Sequence, residues 1–203
     1  MITSLIQRVQ KTQYGFTDIQ RASEEIFASQ SAAEILPLAK ELYASDVDQA
    51  RMLATFLFGK LSAKSKVSLS FLRKHVSKDK DWRVQEILAK AFDQYCSDIG
   101  YKKALTVIED WLADANPNVR RAVTEGLRIW TGRDYFCDHP DVAIKLLVQL
   151  KADESEYVRK SVGNALRDIS RKHKDLIRAE LEKWDISDKH IKQTYKLAGK
   201  FLE

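Results

Sequence analysis

The stretch Asn116 to Trp130 reads NPNVRRAVTEGLRIW and has the features of one packed amphipathic helix. Asn116 is a favourable N-cap, and Pro117 suits the first helical position, where its missing N–H is harmless. One apolar stripe recurs at helical spacing and is predicted to face a neighbouring helix: Val119, Ala122, Val123, Gly126 and Leu127. The opposite arc is polar and largely basic, which makes it the first candidate surface for function.

Two further stretches have the same pattern, which predicts an internal repeat. With Val84, Val119 and Val158 in register, DWRVQEILAKAF, NPNVRRAVTEGL and SEYVRKSVGNAL align at offsets of 35 and 39 residues. Periods of this size are typical of stacked helix pairs, each too small to bury its own apolar face. The sequence therefore predicts an all-α fold, a HEAT-like solenoid. We expect a right-handed superhelix of about five to six antiparallel helix pairs, forming a single domain over residues 1–203.

Composition agrees with a folded helical domain and restricts the function classes. A chain of 203 residues with 44% hydrophobic residues can bury a substantial core, and a net charge of +5 permits an anionic partner without requiring one. Cys96 and Cys137 have no CxxC or His-spaced partner, so we expect free thiols in a reducing compartment and no metal site. The first residues contain no long apolar core, so we expect a cytoplasmic protein without a signal peptide or membrane span.

The second helices of successive pairs are expected to line the concave wall of such a solenoid. On the last two of these helices the polar residues of interest are Arg120, Arg121, Arg128, Arg159, Lys160, Asn164 and Arg167. All but the asparagine are basic, which suits a strip that follows DNA phosphates. A solvated face with local ion pairs, such as Arg121 with Glu125, explains the same spacing equally well.

Three carboxylates lie on the second helices of successive pairs: Glu86, Glu125 and Asp168. A carboxylate in a basic groove weakens phosphate binding unless it has another task, such as stabilising a positively charged sugar during glycosidic cleavage. Alternatively, each carboxylate only orients a neighbouring cation. Trp82 comes four residues before Glu86 and shares its helix face, where the indole either stacks on a base or sugar or fills a seam between helices. The other tryptophans are predicted to lie in the core: Trp111, Trp130 and Trp184.

At these residues the chain resembles the AlkC-type and AlkD-type DNA alkylation repair proteins, whose HEAT-like repeats form a positively charged DNA-binding cradle. The run YVRKSVGNALRDIS, Tyr157 to Ser170, is similar to one repeat of that family, and VRRAVTEGLR is similar to the repeat before it. DWRVQE resembles the place where the AlkD-type branch has a Trp followed four positions later by a carboxylate. The resemblance implies a monofunctional DNA glycosylase that acts on cationic N-alkylated purines, such as 3-methyladenine or 7-methylguanine.

The resemblance also implies residue roles. Trp82 packs near the deoxyribose, Glu86 is the electrostatic stabiliser or base, and Glu125 and Asp168 are AlkC-like candidates for the same catalytic role. Phosphates are held by Arg120, Arg121, Arg159 and Lys160, and the expected DNA-binding set is completed by Arg128, Asn164 and Arg167. We expect alkylated double-stranded DNA as the partner, no metal or organic cofactor, and a monomer.

Two departures from the family pattern leave other functions open. Asn164 stands where the AlkD-type branch has an aromatic residue, which removes one wall of that catalytic cleft. The stretch after Gly126 reads LRIW, whereas the AlkC-type branch continues with a proline-rich segment. The alternatives to a glycosylase are therefore a catalytically silent relative that binds bent or branched DNA, and a HEAT-like scaffold for a protein partner.

Overall fold

The computed structural model describes residues 2–202, and its regular secondary structure there is helical throughout, which confirms the predicted all-α class. The α-helices are α1 (Ile2–Gln10), α2 (Thr17–Ser29), α3 (Ala32–Tyr43), α4 (Asp48–Ser62), α5 (Lys66–Lys74), α6 (Trp82–Ile99), α7 (Tyr101–Leu112), α8 (Pro117–Gly126), α9 (Asp134–Asp138), α10 (Pro140–Val148), α11 (Glu156–Ser170), α12 (Lys174–Leu181) and α13 (Lys189–Ala198). Within this part of the chain, every helix is too short or too polar to cross a lipid bilayer.

The chain divides into two compact units, Met1–Asp98 and Ile99–Glu203. In the first unit α4 is the central helix, because α2, α3 and α5 pack against it and eleven of its fifteen residues are buried. Helix α6 comes very close to α4 at Gly59, where a Cβ would lie only 2.8 Å from Ala91. A residue without a side chain is therefore needed at this crossing. The single domain expected from the repeat stays a prediction.

In the second unit α11 is the central helix, and α8, α10, α12 and α13 pack against it. Val158 near its start is fully buried, as is Val119 on α8, so the aligned valines are core residues as the repeat predicts. Gly163 allows α13 to approach, since a Cβ at this position would lie 2.6 Å from Leu197 Cβ. The apolar spacing of the sequence thus positions the two helices that carry the predicted basic residues.

Several local predictions in this unit are confirmed. Asn116 caps α8, because its side-chain oxygen accepts a hydrogen bond of 3.0 Å from the N–H of Asn118, and Pro117 is the first helical residue. The indoles of Trp111 and Trp184 are buried. These features depend on neighbours in sequence and on apolar periodicity, which are the signals that the sequence contains.

The end of α8 differs from the prediction. The helix stops at Gly126 instead of continuing to Trp130, and the Arg133 guanidinium binds the Gly126 carbonyl at 3.2 Å. Trp130 begins a separate 3-10 turn and is fully buried against Phe136, with 4.8 Å between the ring centroids. Packing of the indole in the core therefore takes the chain away from the helix axis.

Candidate functional site

The first unit contains a cleft of about 360 Å³ beside the start of α6. The residues that line it are Gln13, Tyr14, Gly15, Phe16, Met52, Trp82, Arg83 and Glu86. Trp82 is the first residue of α6 and Glu86 lies one turn later, so helix geometry puts both side chains on the same face. The structure therefore brings together the tryptophan and the carboxylate that are paired in DWRVQE.

Two aromatic side chains of the cleft are largely exposed to solvent. Tyr14 is 90% exposed and Trp82 is 71% exposed, so Trp82 does not fill a seam between helices. Gly15 has a φ of +71°, a left-handed conformation that suits glycine, and it turns the chain between Tyr14 and Phe16. A ring that remains in water keeps its apolar surface for a ligand. Of the two alternatives for Trp82, a surface for stacking is the one that this exposure matches.

Phe16, by contrast, is already engaged inside the unit. Its ring centroid lies 6.3 Å from that of Phe56, and the Lys90 ammonium lies over the Phe16 ring at 4.6 Å. Lys90 comes four residues after Glu86, so this cation–π contact gives the ammonium a partner other than the neighbouring carboxylate. The cleft thus combines one anchored ring, two exposed rings and one carboxylate.

Arg83, also in the cleft wall, is held by two carboxylates. Its Nη2 lies 2.7 Å from Asp48 and 2.7 Å from Asp81. The side-chain hydrogen bond from Arg83 lowers the pKa of Asp81, against the opposing effect of partial burial, and the same bond raises the pKa of Arg83. Both shifts favour the charged forms of Asp81 and Arg83. Arg83 therefore fixes the start of α6 and adds no net positive charge to the cleft.

In the second unit Glu125 and Asp168 belong to one ionic cluster. Arg128 lies between them, with Nη1 3.1 Å from Glu125 and Nε 3.2 Å from Asp168. The Ser161 hydroxyl donates to the other Glu125 oxygen at 2.8 Å, and Arg167 holds the other Asp168 oxygen at 3.0 Å. Both oxygens of each carboxylate are therefore bound. Of the two alternatives for these carboxylates, orientation of neighbouring cations is the one that these contacts match.

Asn164 belongs to the same cluster. Arg167 donates from Nη1 to the Asn164 side-chain oxygen at 3.0 Å. The Phe201 ring lies 5.4 Å from the Arg167 guanidinium and 4.8 Å from that of Arg171. Position 164 thus presents a hydrogen-bonded amide where the AlkD-type pattern has an aromatic side chain.

Arg120, a predicted phosphate ligand, is built into the second unit. Its Nε and Nη2 bind Asp153 at 2.6 and 2.7 Å, which is a bidentate ion pair. Its Nη1 donates to the carbonyls of Asp114 and Ala115 at 2.7 and 3.1 Å. A phosphate can take this guanidinium only if these bonds are given up, because each terminal group of the arginine already has a partner.

Arg159 makes contacts of the same kind as Arg120 and is only 7% exposed. It donates to the Gln193 side chain at 2.8 Å and to two carbonyls of the turn before α11. In the first unit Arg51 repeats the arrangement with Asp79, at 2.8 Å. Arg120 and Arg159 directly follow the aligned Val119 and Val158, and Arg51 follows Ala50, which lies 34 residues before Val84. This position of the repeat therefore joins a helix to the turn before it and to the next helix pair.

The cations with more accessible side chains lie elsewhere on the same helices. The Lys160 side chain is 51% exposed and pairs with Glu156 at 2.7 Å, and Arg121 is half-buried. Arg171 is exposed and lies 3.9 Å from Asp168; the sequence patterns do not single it out, although it follows Arg167 by one helical turn. Among residues 2–202, no group of three His, Cys, Asp or Glu side chains is placed to hold a metal ion.

Helical spacing also does not predict Tyr14 and Phe16 as cleft residues. The available signal is the tripeptide YGF, two aromatic residues around a glycine, in a segment between helices. Periodicity places residues only within a helix, whereas a loop residue is placed by tertiary contacts. The sequence therefore gives one side of the cleft, Trp82 with Glu86, and leaves the other side unassigned.

Comparison with known proteins gives the relationships of the chain. A family model for the DNA alkylation repair enzyme matches residues 14–200, a range that contains the ionic cluster and every cleft residue except Gln13. Among solved structures, AlkD2 from Streptococcus mutans is 51% identical, with a TM-score of 0.96 and 100% of both chains covered. The fold of this relative is thus shared from end to end.

More distant relatives are also found. The alkylpurine DNA glycosylase AlkC from Pseudomonas fluorescens, solved bound to DNA containing an abasic site analog, is 23% identical with a TM-score of 0.55, over 99% of this chain and 62% of that chain. This likeness shows a shared fold. The uncharacterized protein YhaZ of Bacillus subtilis strain 168 is 34% identical over 103 residues, which cover 47% of this chain and 29% of YhaZ. The match thus spans less than a third of the length of YhaZ.

Proposed function

We propose that this chain, which belongs to the DNA alkylation repair enzyme family, is a glycosylase that excises cationic N-alkylated purines, of the 3-methyladenine and 7-methylguanine type, from double-stranded DNA. One observation carries the proposal. Glu86 lines the cleft of the first unit, beside the exposed rings of Trp82 and Tyr14. Glu125 and Asp168 have both oxygens occupied by neighbouring side chains.

The contents of the cleft suit a leaving group that is already positively charged. The faces of indole and phenol rings attract cations, so Trp82 and Tyr14 favour an alkylated purine over its neutral parent. As the N-glycosidic bond breaks, positive charge moves onto the deoxyribose, where the Glu86 carboxylate stabilises it. Water adds to C1′, its proton passes to Glu86 or to solvent, and the purine leaves as a neutral base. We propose that no metal or organic cofactor takes part.

Phosphate contacts are proposed for the more accessible cations of the second unit. Lys160 and Arg171 have exposed side chains, and Arg121 and Arg128 lie on the neighbouring helix or its end. Arg167 and Asn164 support them by holding the ionic cluster in place. Each neutralised phosphate releases counterions, so the affinity for DNA should fall steeply with salt concentration.

We also propose a cytoplasmic monomer. Cys96 is buried and Cys137 is exposed, and neither forms a disulfide. Free thiols of this kind suit a reducing compartment. Sedimentation analysis at the concentrations used for activity measurements tests the monomer.

Release of 7-methylguanine from methylated duplex DNA, with protein in excess, tests the glycosylase. Glu86→Gln removes the charge and keeps the size of the side chain, and loss of such a preorganised group should slow release about 10²–10³-fold. Glu109→Gln is the matched control, since Glu109 is an exposed carboxylate on α7, and it should release purine at the wild-type rate. Glycosylase activity is refuted if the wild-type protein binds methylated DNA and no purine is released.

A second function, DNA binding without base excision, is favoured by the surroundings of Asn164. Its amide is held by Arg167, so this position provides no aromatic wall, and the nearby Glu125 and Asp168 are paired with arginines. This candidate predicts salt-dependent binding, strongest for bent or branched DNA, in the absence of purine release. A protein scaffold instead predicts little affinity for DNA at moderate salt.

A further inference from the structure

The basic excess of the chain is concentrated in one segment that the proposed glycosylase site uses very little. Residues 49–78 contain seven Lys or Arg residues and no Asp or Glu, while the whole chain has a net charge of +5. The rest of the chain therefore carries a net charge of −2, the difference between +5 and +7. A segment of this kind creates a local positive potential whose partner must be sought outside the segment.

A groove lies along this segment. Helices α3 and α5 both pack against α4. Residues of α3, of α5 and of the turn after α5 form a groove of about 580 Å³. Its lining consists of Lys40, Lys66, Val67, Ser70, Phe71 and His75. Cations and an apolar surface are thus combined in one depression.

No acidic residue lies three or four positions from Lys40 or Lys66, so neither cation has a carboxylate of its own helix on the same face. Lys66 is the first residue of α5, and the first turn of that helix contains no Asp or Glu. The N-terminal end of a helix is itself positive, so its potential and that of the ammonium add. Lys40 faces the groove from α3. A ligand with negative charges is therefore attracted to this place.

The apolar part of the groove distinguishes between anionic ligands. Val67 is 54% exposed, which leaves an aliphatic surface between the cations. The Phe71 ring is already stacked with Phe58 at 4.3 Å and with His75 at 4.7 Å, and it meets Tyr43 edge-on at 5.2 Å. This ring is therefore occupied and cannot serve as a platform for a nucleobase. A bare phosphate backbone offers nothing that covers Val67.

We infer that this groove is a docking site for an acidic segment of a partner protein. Carboxylates of the segment pair with Lys40 and Lys66, and one aliphatic side chain of the segment packs on Val67 and on the half-buried Phe71. Apolar contact gives such a complex its affinity, while the paired charges give it orientation and a fast encounter. The proposal is independent of the glycosylase, because none of the six lining residues belongs to the cleft.

The probe is a short fluorescein-labelled peptide in which glutamates surround a single leucine, and binding to the full chain is followed by anisotropy at low salt. Lys40→Glu combined with Lys66→Glu should weaken binding by at least about tenfold. Val67→Ser should weaken it about three- to tenfold, because the leucine loses its contact while the charges stay. Lys192→Glu is the control, an exposed lysine on α13, and should change the affinity less than about twofold.

Three results would overturn the proposal. The first is absence of peptide binding to the wild-type protein, and the second is peptide binding that all variants share. The third is loss of duplex DNA affinity in the double lysine variant with no effect of Val67→Ser, which assigns the segment to phosphates. Circular dichroism establishes that the variants are folded. Release of 7-methylguanine should be equal in all of them, so failure here is distinguishable from failure of the glycosylase.

Discussion

Replacing Arg120 with methionine tests whether the position after the aligned valine is structural or binds DNA. The Arg120 side chain is 14% exposed and that of Asp153 is 5% exposed, with N–O distances of 2.6 and 2.7 Å between them. The same guanidinium binds two carbonyls of the turn before α8. Methionine keeps the apolar stem of arginine but has no donor, so Asp153 would stay buried without its cation.

The expected loss of stability follows from that stranded charge. Removal of one partner of a buried ion pair costs about 3–5 kcal/mol. The N–H of Ser155 still donates to Asp153 at 2.8 Å, which favours the lower end, about 3 kcal/mol. For a chain of this size, 1 kcal/mol corresponds to about 2–4 °C, so Tm should fall by about 6–12 °C. Adding Asp153→Leu removes the unpaired carboxylate and should restore at least half of the loss.

Urea titrations and thermal scans by circular dichroism give the stability, and anisotropy with labelled duplex DNA gives the affinity of the folded protein. Arg121→Met is the matched control on the same helix, and we expect it to change the free energy of unfolding by less than about 1 kcal/mol. It should weaken DNA binding instead, similarly for all sequences. An Arg120→Met protein with wild-type stability and reduced DNA affinity would refute this reasoning and assign Arg120 to a phosphate.

Asp81→Asn tests the ion pair that Asp81 forms with Arg83 of the cleft wall. Because Arg83 lowers the pKa of Asp81, the carboxylate stabilises the fold above its ordinary pKa of 3.8, and this contribution is lost as the pH falls through the lower folded-state value. Circular dichroism during acid titration should therefore show a steeper loss of stability below about pH 4 in the wild-type protein than in the variant; equal slopes contradict the pairing. Gly163→Ala places a Cβ 2.6 Å from Leu197 Cβ and should cost about 1–3 kcal/mol in urea titrations, whereas a neutral result means that α13 can move away. Asn116→Ala removes the cap of α8 and should cost about 0.5–2 kcal/mol by the same measurement, and an unchanged midpoint argues against the cap.

The helices and the core were predictable where local spacing decides them. The aligned residues Val84, Val119 and Val158 are fully buried, because a repeat that cannot bury its own apolar face must place its periodic residues against the neighbouring pair. The cap at Asn116 was predictable for the same local reason. The end of α8 was not, because burial of Trp130 against Phe136 is a tertiary effect.

Apolar periodicity could not predict that Arg120 and Arg121 make different contacts. Adjacent residues on one polar arc look equivalent in sequence, yet Arg120 extends back to the turn carbonyls and across to Asp153. This choice depends on the spacing of successive helix pairs, which a single helix pattern does not contain. One sequence clue does exist, because Arg51 and Arg159 occupy the same position in other repeats.

The cleft was half predictable. Residues at an i,i+4 spacing share one face of a helix, and this rule correctly predicted that Trp82 lies on the same face as Glu86. The role of these two residues in catalysis stays a prediction. Tyr14 enters the cleft from a loop turned by Gly15, and no periodic pattern points to a loop residue.

Quenching of tryptophan fluorescence by acrylamide tests most directly whether the lesion binds in the cleft. Trp111, Trp130 and Trp184 are 1%, 0% and 7% exposed, so accessible quenching reports almost entirely on Trp82, which is 71% exposed. The Glu86→Gln protein prevents turnover during the titration, and anisotropy of a labelled strand shows when DNA is bound. We predict that methylated duplex DNA shields Trp82 from acrylamide more strongly than unmethylated DNA of the same sequence. Bound methylated DNA with unchanged quenching of Trp82 would contradict the assignment of the cleft as the lesion site.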